Sequence, residues 1–193
     1  MDAIEAILGR RTVPQVKMGE PGPDETALRT ILEAGTAAPD HGRLRPWRFL
    51  LVRGAARERL GELFVQGLLA EQPEASPAEI EKQRTAPLRV PLLIVLVART
   101  DPKSHIPVVE QLASTATAGY SILLATHALG FAGKWSTGRN AYNDTIRRGL
   151  GLGTDDAILG FLYIGSQAVP QAPSPRPELA EIVREWHEPE GQR

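Results

Sequence analysis

Cysteine is absent from all 193 residues. That excludes disulfides, thiol nucleophiles, iron–sulfur ligation and cysteine-based zinc sites, and it fits a reducing cytoplasm. Net charge is nearly absent too: 22 Lys and Arg against 23 Asp and Glu leave −1. A balance so close to zero points to neither nucleic acid nor an anionic membrane, so any grip on phosphate has to come from locally placed arginines. Long hydrophobic runs are missing. The longest, Leu92 to Ala98, is far too short to cross a bilayer, and the acidic start M-D-A-I-E does not read as a signal peptide. The expectation is a cytoplasmic protein. The four histidines (His41, His105, His127, His187) are scattered without metal-ligand spacing, so no metal site is expected. No serine sits in a nucleophile elbow and no carboxylate pair stands out.

What is present reads as a single α+β domain spanning residues 1–193, a few core strands wrapped by helices. Asp2 is a plausible N-cap for a short helix carrying Ile4, Ile7 and Leu8 and ending near Gly9. After the turn P-G-P at 21–23, Asp24 caps a second helix bearing Leu28, Ile31 and Leu32. R-F-L-L-V-R at 48–53 reads as a strand. A helix follows over Ala55–Leu69, broken by Pro73 and Pro77, and a short one over Ala78–Ala86. The run at 89–98 has the pattern of a strand buried on both faces. From Pro107 to Gly130 the chain is helical and rich in small residues, which predicts close packing on several sides. A short strand running into a loop (130–138), a helix over Asn140–Leu150 and a buried strand at 158–165 come next. A proline-rich tail, Q-A-V-P-Q-A-P-S-P-R-P, leads to a terminal helix, Glu178–Trp186.

Four stretches carry candidate chemistry. R-R-T at 10–12 could grip a phosphate, because guanidinium offers forked donors and the hydroxyl one more. Cations at a helix C-terminus also favour its dipole, so capping is the simpler local explanation. G-L-G-L-G at 149–153 looks like a dinucleotide fingerprint, but a helix precedes it and a strand follows, the reverse of the required order. A left-handed helix cap is expected there. G-K-W-S-T-G at 133–138 could bring backbone N–H groups to a planar ligand edge, or could simply bury Trp135 as packing. The densest stretch is A-P-D-H-G-R-L-R-P-W, 38–47, where His41 could handle a proton or decorate the surface. His127, inside the apolar central helix, reads as a satisfied packing residue, and Asp155 and Asp156 as loop or cap residues.

In order along the chain, R-R-T, A-P-D-H-G-R-L-R-P-W-R-F, A-T-H-A-L-G-F-A-G-K-W-S-T-G and G-F-L-Y-I-G resemble the nitroreductase-like FMN-dependent oxidoreductase family, most of all its small YdjA-like branch. The resemblance covers nearly the whole chain. It implies a nitroreductase-like α+β fold, a central, mainly antiparallel sheet flanked by helices, and a homodimer with two FMN molecules at the subunit interface. It implies that Arg10, Arg11 and Thr12 hold the ribityl phosphate and the pyrimidine side of the flavin. Pro39, Asp40 and His41 would reach the same cofactor from the other subunit. Trp135, Ser136 and Thr137 would present backbone donors near N5 and O4, and Arg176 in the tail would touch the phosphate.

The chain departs from the family pattern at several places. Asp40 replaces the usual serine and is expected to point away or to pair with an arginine; Arg45 replaces the usual glutamine before Pro-Trp. One cation of the tail is missing at Ser174-Pro175-Arg176, and Gln15 stands where a third arginine is common. The implied activity is transfer of hydride from NADH or NADPH through flavin N5 to a nitroaromatic or quinone-like acceptor in a ping-pong cycle. No side chain need be an obligate acid or base; His41 and Arg45 are the candidate assistants. Two alternatives stay open: the same fold with specialised flavin chemistry (dehalogenation, flavin fragmentation, ring oxidation), or a non-redox α+β protein that binds a ligand or partner.

Overall fold

The aliphatic run at 92–98 lies at the centre of the sheet. The computed structural model describes residues 1–167 and 175–187. Five strands form one antiparallel sheet: β1 (Met18–Gly19), β2 (Trp47–Arg53), β3 (Leu92–Arg99), β4 (Ala132–Ser136) and β5 (Asp156–Gln167). β3 lies between β2 and β5; β4 pairs with residues 161–165 of β5, and β1 with its last two residues.

Alternation along β3 sorts its side chains between two helical layers. Leu92 and Ile94, with Leu162 and Ile164 of β5, pack under α2 (Glu25–Thr36) and α5 (Val108–Ala128) through Leu28, Ile31 and Ile122. Leu93, Val95 and Val97, with Phe161 and Tyr163, meet α3 (Ala56–Glu71) at Leu60 and Phe64, and α7 (Asp144–Gly149) at Ile146. Phe64 and Phe161 touch edge to face, their ring centroids 5.0 Å apart. Because both faces are covered, the strand shows no polar alternation, which is why it reads as a continuous apolar run. Truncating one of these fully buried side chains to alanine costs roughly 2–5 kcal/mol.

The small residues of α5 do what their size suggests. A Cβ on Gly119 would lie 2.4 Å from Leu96 of the sheet and 2.9 Å from the Trp135 ring. On α2, a Cβ on Gly35 would lie 2.8 Å from Ile122. Both glycines let α5 sit close to its neighbours.

α1 (Ala3–Gly9) starts at a reciprocal capping box between Asp2 and Glu5, as the N-cap reading requires. Its apolar residues, however, face outward: only Ala6 is buried, while Ile4 and Leu8 are more than half exposed. α4 (Pro77–Thr85) begins one residue before its expected start, with a second capping box between Ser76 and Glu79.

Three elements differ from the sequence expectations. The helix expected over 140–150 is two pieces, α6 (Arg139–Tyr142) and α7, because Asn143 between them leaves the helical conformation and caps α7 at the Ile146 N–H. The terminal helix expected over 178–186 is a single turn, α8 (Leu179–Ile182). No side chain of α8 is buried, and so short a helix has little stability without packing. β1 has no counterpart among the expected strands; two residues paired to Gln167 and Ser166 are too few to show periodicity. Most of the proline-rich tail, including Ser174, lies outside the described residues. The G-L-G-L-G stretch ends α7 as expected, with Gly151 at φ +73°.

No helix among the described residues is long and apolar enough to cross a membrane. No cluster of three or more His, Asp or Glu residues that could hold a metal occurs among them either.

Candidate cofactor site

α1 ends at Gly9, and Arg10 turns the chain into extended backbone. Thr12 then bridges Gly133 in parallel, and the Val13 N–H donates to the Gly133 carbonyl at 3.2 Å. These contacts lay the R-R-T segment beside G-K-W-S-T-G. Arg11 donates through Nη1 to the Gly9 carbonyl, and Arg176 through Nη2 to the Leu8 carbonyl at 3.0 Å. Both guanidiniums therefore cap the C-terminus of α1; the local capping reading of the R-R-T cations holds for Arg11, and Arg176 joins it from the tail. Arg10 does something else: its guanidinium carbon lies 5.9 Å from the centroid of the Tyr120 ring on α5. A cleft of about 370 Å³ opens between Arg10, Arg11, Thr12 and the Pro175–Pro177 segment. Four sequence-predicted residues, Arg10, Arg11, Thr12 and Arg176, are thus brought together.

Behind the same arginines lies a smaller cavity of about 90 Å³, bounded by the end of α1, by Leu123 and His127 of α5, and by Ala132 and Gly133 of β4. The Nε atoms of Arg10 and Arg11 and Nε2 of His127 are buried without a hydrogen-bonding partner. A buried donor lacking an acceptor costs roughly 1–3 kcal/mol. His127 is therefore not the satisfied packing residue its position suggests. Burial first, and then the neighbouring charges of Arg10 and Arg11, hold its pKa below the usual 6.5. Two buried guanidinium nitrogens without acceptors suit an oxyanion such as a flavin phosphate, so these residues fit the phosphate end of FMN.

Gln15, which stands in place of a third arginine, is not without a cation. Its Oε1 accepts a hydrogen bond from Lys134 Nζ at 2.7 Å, across the contact between the 10–15 segment and β4. Lys134 lies within G-K-W-S-T-G, but nothing local in the sequence signals this pairing, since the partners are 119 positions apart.

Trp135 and Ser136 lie in β4, opposite Leu162 and Phe161, and Thr137 follows the last paired residue. The Trp135 side chain has a structural task. β5 bulges between Leu96 and Val97 of its partner, and the Trp135 indole N–H donates to the Leu159 carbonyl at the bulge, 2.9 Å away. Gly160 allows this approach: a Cβ there would lie 2.2 Å from the indole nitrogen. The tryptophan is thus packing and bulge cap, and only its backbone remains for a ligand.

The Pro39–Asp40–His41 stretch stands apart from the arginine cleft within one chain. His41 Nδ1 lies 2.6 Å from Glu110 Oε2 near the start of α5, whereas Arg10 meets Tyr120 ten residues later, roughly 15 Å along the helix axis. Of the two outcomes expected for Asp40, an ion pair with an arginine side chain is not the one seen among the described residues; its Oδ2 accepts the Arg45 backbone N–H at 2.7 Å and closes the loop. That closure holds a tight run in which Gly42, Arg43 and Arg45 have φ of +67°, +56° and +49°. A Cβ on Gly42 would lie 2.3 Å from Ile106 Cδ1 and push that side chain aside, and the positive φ favours glycine there as well. The Arg45 side chain is exposed.

An antiparallel sheet between helical layers, with paired arginines at the exit of its first helix, defines a nitroreductase-like α+β fold. The chain belongs to the Nitroreductase family, whose model matches residues 7–166. It is 36% identical over 166 residues, 86% of this chain and 88% of the relative, to the Escherichia coli (strain K12) protein named "Putative NAD(P)H nitroreductase YdjA". A nitroreductase-like family protein from Bacillus cereus has the same fold, with a TM-score of 0.82 at 23% identity over 96% of both chains. A variant of the FMN and NADPH-dependent nitroreductase NfnB from Sphigopyxis sp. strain HMH gives a TM-score of 0.75 at 22% identity, over 96% of this chain and 99% of that one.

Proposed function

We propose that the protein is an FMN-dependent NAD(P)H oxidoreductase that reduces nitroaromatic or quinone-like acceptors. The observation that carries this reading is the cleft at the exit of α1, which gathers Arg10, Arg11, Thr12 and Arg176. Family membership and the FMN dependence named for NfnB support it.

In this reading Arg10, Arg11 and Arg176 bind the phosphate, and Thr12 adds its hydroxyl. Lys134, held by Gln15, adds a positive charge beside them. Trp135, Ser136 and Thr137 face the ring with their backbone, while the Trp135 side chain fixes where that backbone runs. Pro39, Asp40 and His41 of the partner subunit complete the cleft. The Asp40–Arg45 bond and the His41–Glu110 pair hold that loop in shape before any cofactor arrives. A homodimer also accounts for the apolar side chains one chain leaves uncovered, Ile4, Ile7 and Leu8 on α1 and Leu179, Ile182 and Trp186 at the C-terminal end. Bound FMN would supply the two-electron chemistry, taking hydride from NADH or NADPH and passing it to the acceptor. No side chain here has to act as acid or base.

The test is oxidation of NADH and NADPH by the FMN-loaded protein with a quinone and with a nitroaromatic as acceptors. Turnover that requires both donor and acceptor supports the reading. Flavin-loaded protein that oxidises neither donor contradicts it.

A further inference from the structure

All three side-chain nitrogens that are buried and unpartnered among the described residues belong to residues that line one cavity. They are Arg10 Nε, Arg11 Nε and His127 Nε2. Scattered orphans would each need a local excuse, but three on residues around one space of about 90 Å³ have a common explanation in whatever fills that space. The cavity is large enough for one tetrahedral oxyanion or a few waters. No carboxylate lines it. From the end of α1, Arg10 and Arg11 face the imidazole; from β4 only Ala132 and Gly133 do; Gln167 closes the β5 side and Leu123 the α5 side. Gly9 makes the approach possible, since a Cβ there would lie 3.1 Å from His127 Nε2.

From this geometry we infer that His127 is a further, proton-gated ligand, on the cavity side of Arg10 and Arg11, for the phosphate-type oxyanion that these arginines hold. The inference rests on the cofactor reading above as to which oxyanion is held, and it names a residue that the family motifs did not mark. Both arginines are charged at all ordinary pH, so their Nε groups can only donate. The imidazole can donate through Nε2 as a neutral tautomer or as a cation. Without an anion, burial and the two arginines keep it neutral. An oxyanion in the cavity reverses that balance: it screens the arginines and attracts the imidazolium, so binding takes up one proton from solvent at His127. Affinity for the oxyanion therefore rises as pH falls through the imidazole's pKa in the complex.

The test titrates FMN and riboflavin, which lacks the phosphate, into apo protein between about pH 6.5 and 8.5. Wild type and His127→Gln are compared. The imidazole resonance of His127 in wild type is followed in parallel, with and without inorganic sulfate, whose charge is constant over this range. The expected result is FMN affinity in wild type that weakens about five- to tenfold more than in His127→Gln as pH rises, up to tenfold for each unit the imidazole pKa is displaced. Riboflavin binding should show no such slope, and sulfate should raise the imidazole pKa. Equal FMN slopes in the two proteins, with flavin bound in both, would overturn the role of His127 and leave the cofactor reading intact. If neither flavin binds, the cofactor reading fails and sulfate decides alone: a raised imidazole pKa keeps the oxyanion site, and an unmoved one removes it. If His127→Gln does not fold, the same imidazole measurement on wild type decides in the same way.

Discussion

Replacing Gly160 by alanine should damage both the sheet and the candidate site, because one glycine fixes both. The new Cβ would stand 2.2 Å from the Trp135 indole nitrogen, 2.7 Å from its Cδ1 and 2.8 Å from the Ser136 carbonyl oxygen. Two of these contacts are with the packed tryptophan and one is with backbone, so no flexible side-chain end can move aside. Overpacking of this kind costs about 1–3 kcal/mol, and holding alanine at the glycine's φ of +150° adds roughly 1–3 kcal/mol. A total near 4 kcal/mol, the middle of the summed range, would lower Tm by about 8–16 °C in a chain of this length. The assay is urea and thermal unfolding followed by circular dichroism, with tryptophan emission as a local probe. A companion variant, Trp135→Phe, keeps most of the packing but leaves the Leu159 carbonyl without its donor, and should cost about 1–3 kcal/mol. If Gly160→Ala unfolds within about 0.5 kcal/mol of wild type with unchanged emission, the account of the bulge is wrong.

Asn143 is 5% exposed, caps α7 and donates to both the Gly67 carbonyl and Glu71. Asn143→Ala should therefore destabilise by roughly 2–4 kcal/mol in denaturant unfolding, well above an exposed cap. Asp40→Ala removes the acceptor for the Arg45 N–H and should cost about 1 kcal/mol, while Asp40→Asn, which keeps an acceptor oxygen, should recover most of it. The pH dependence of stability in the apo protein should carry a mark of His127. Its folded pKa is lowered from 6.5, so the unfolded chain takes up the proton first and stability is lost as pH falls through 6.5 toward the folded value. Urea midpoints across that window should fall in wild type and stay level in His127→Gln. Glu71 and Glu79, whose carboxyls are held below 4.5 chiefly by hydrogen bonds to Arg139 and to Ser76, act only further down the scale.

Elements marked by a local signal are readable without coordinates. Asp2, Asp24 and the G-L-G-L-G cap place helix ends, and the run at 92–98 declares a strand covered on both faces. Features that depend on distant partners are not readable in this way. Asn143 breaks a helix because Gly67 and Glu71, more than seventy positions away, give its amide a better use. Lys134 meets Gln15 only because β4 runs beside the exit of α1. His127 resembles a packing residue because the helix around it is apolar. The spacing of Tyr120, Leu123 and His127, i, i+3 and i+7, does place all three on one face of α5, and that stripe points toward the arginines. The Pro39–His41 loop can be recognised as special but not placed relative to R-R-T, since α5 separates the two within one chain.

The central claim is that the arginine cleft holds FMN. The most direct test is an absorbance spectrum of the purified protein from about 300 to 550 nm, repeated after loading with FMN and desalting. Two flavin bands should be retained at about one FMN per chain, and that retention should be lost in Arg10→Gln while the protein stays folded. A folded wild-type protein that keeps no flavin after loading would contradict the claim.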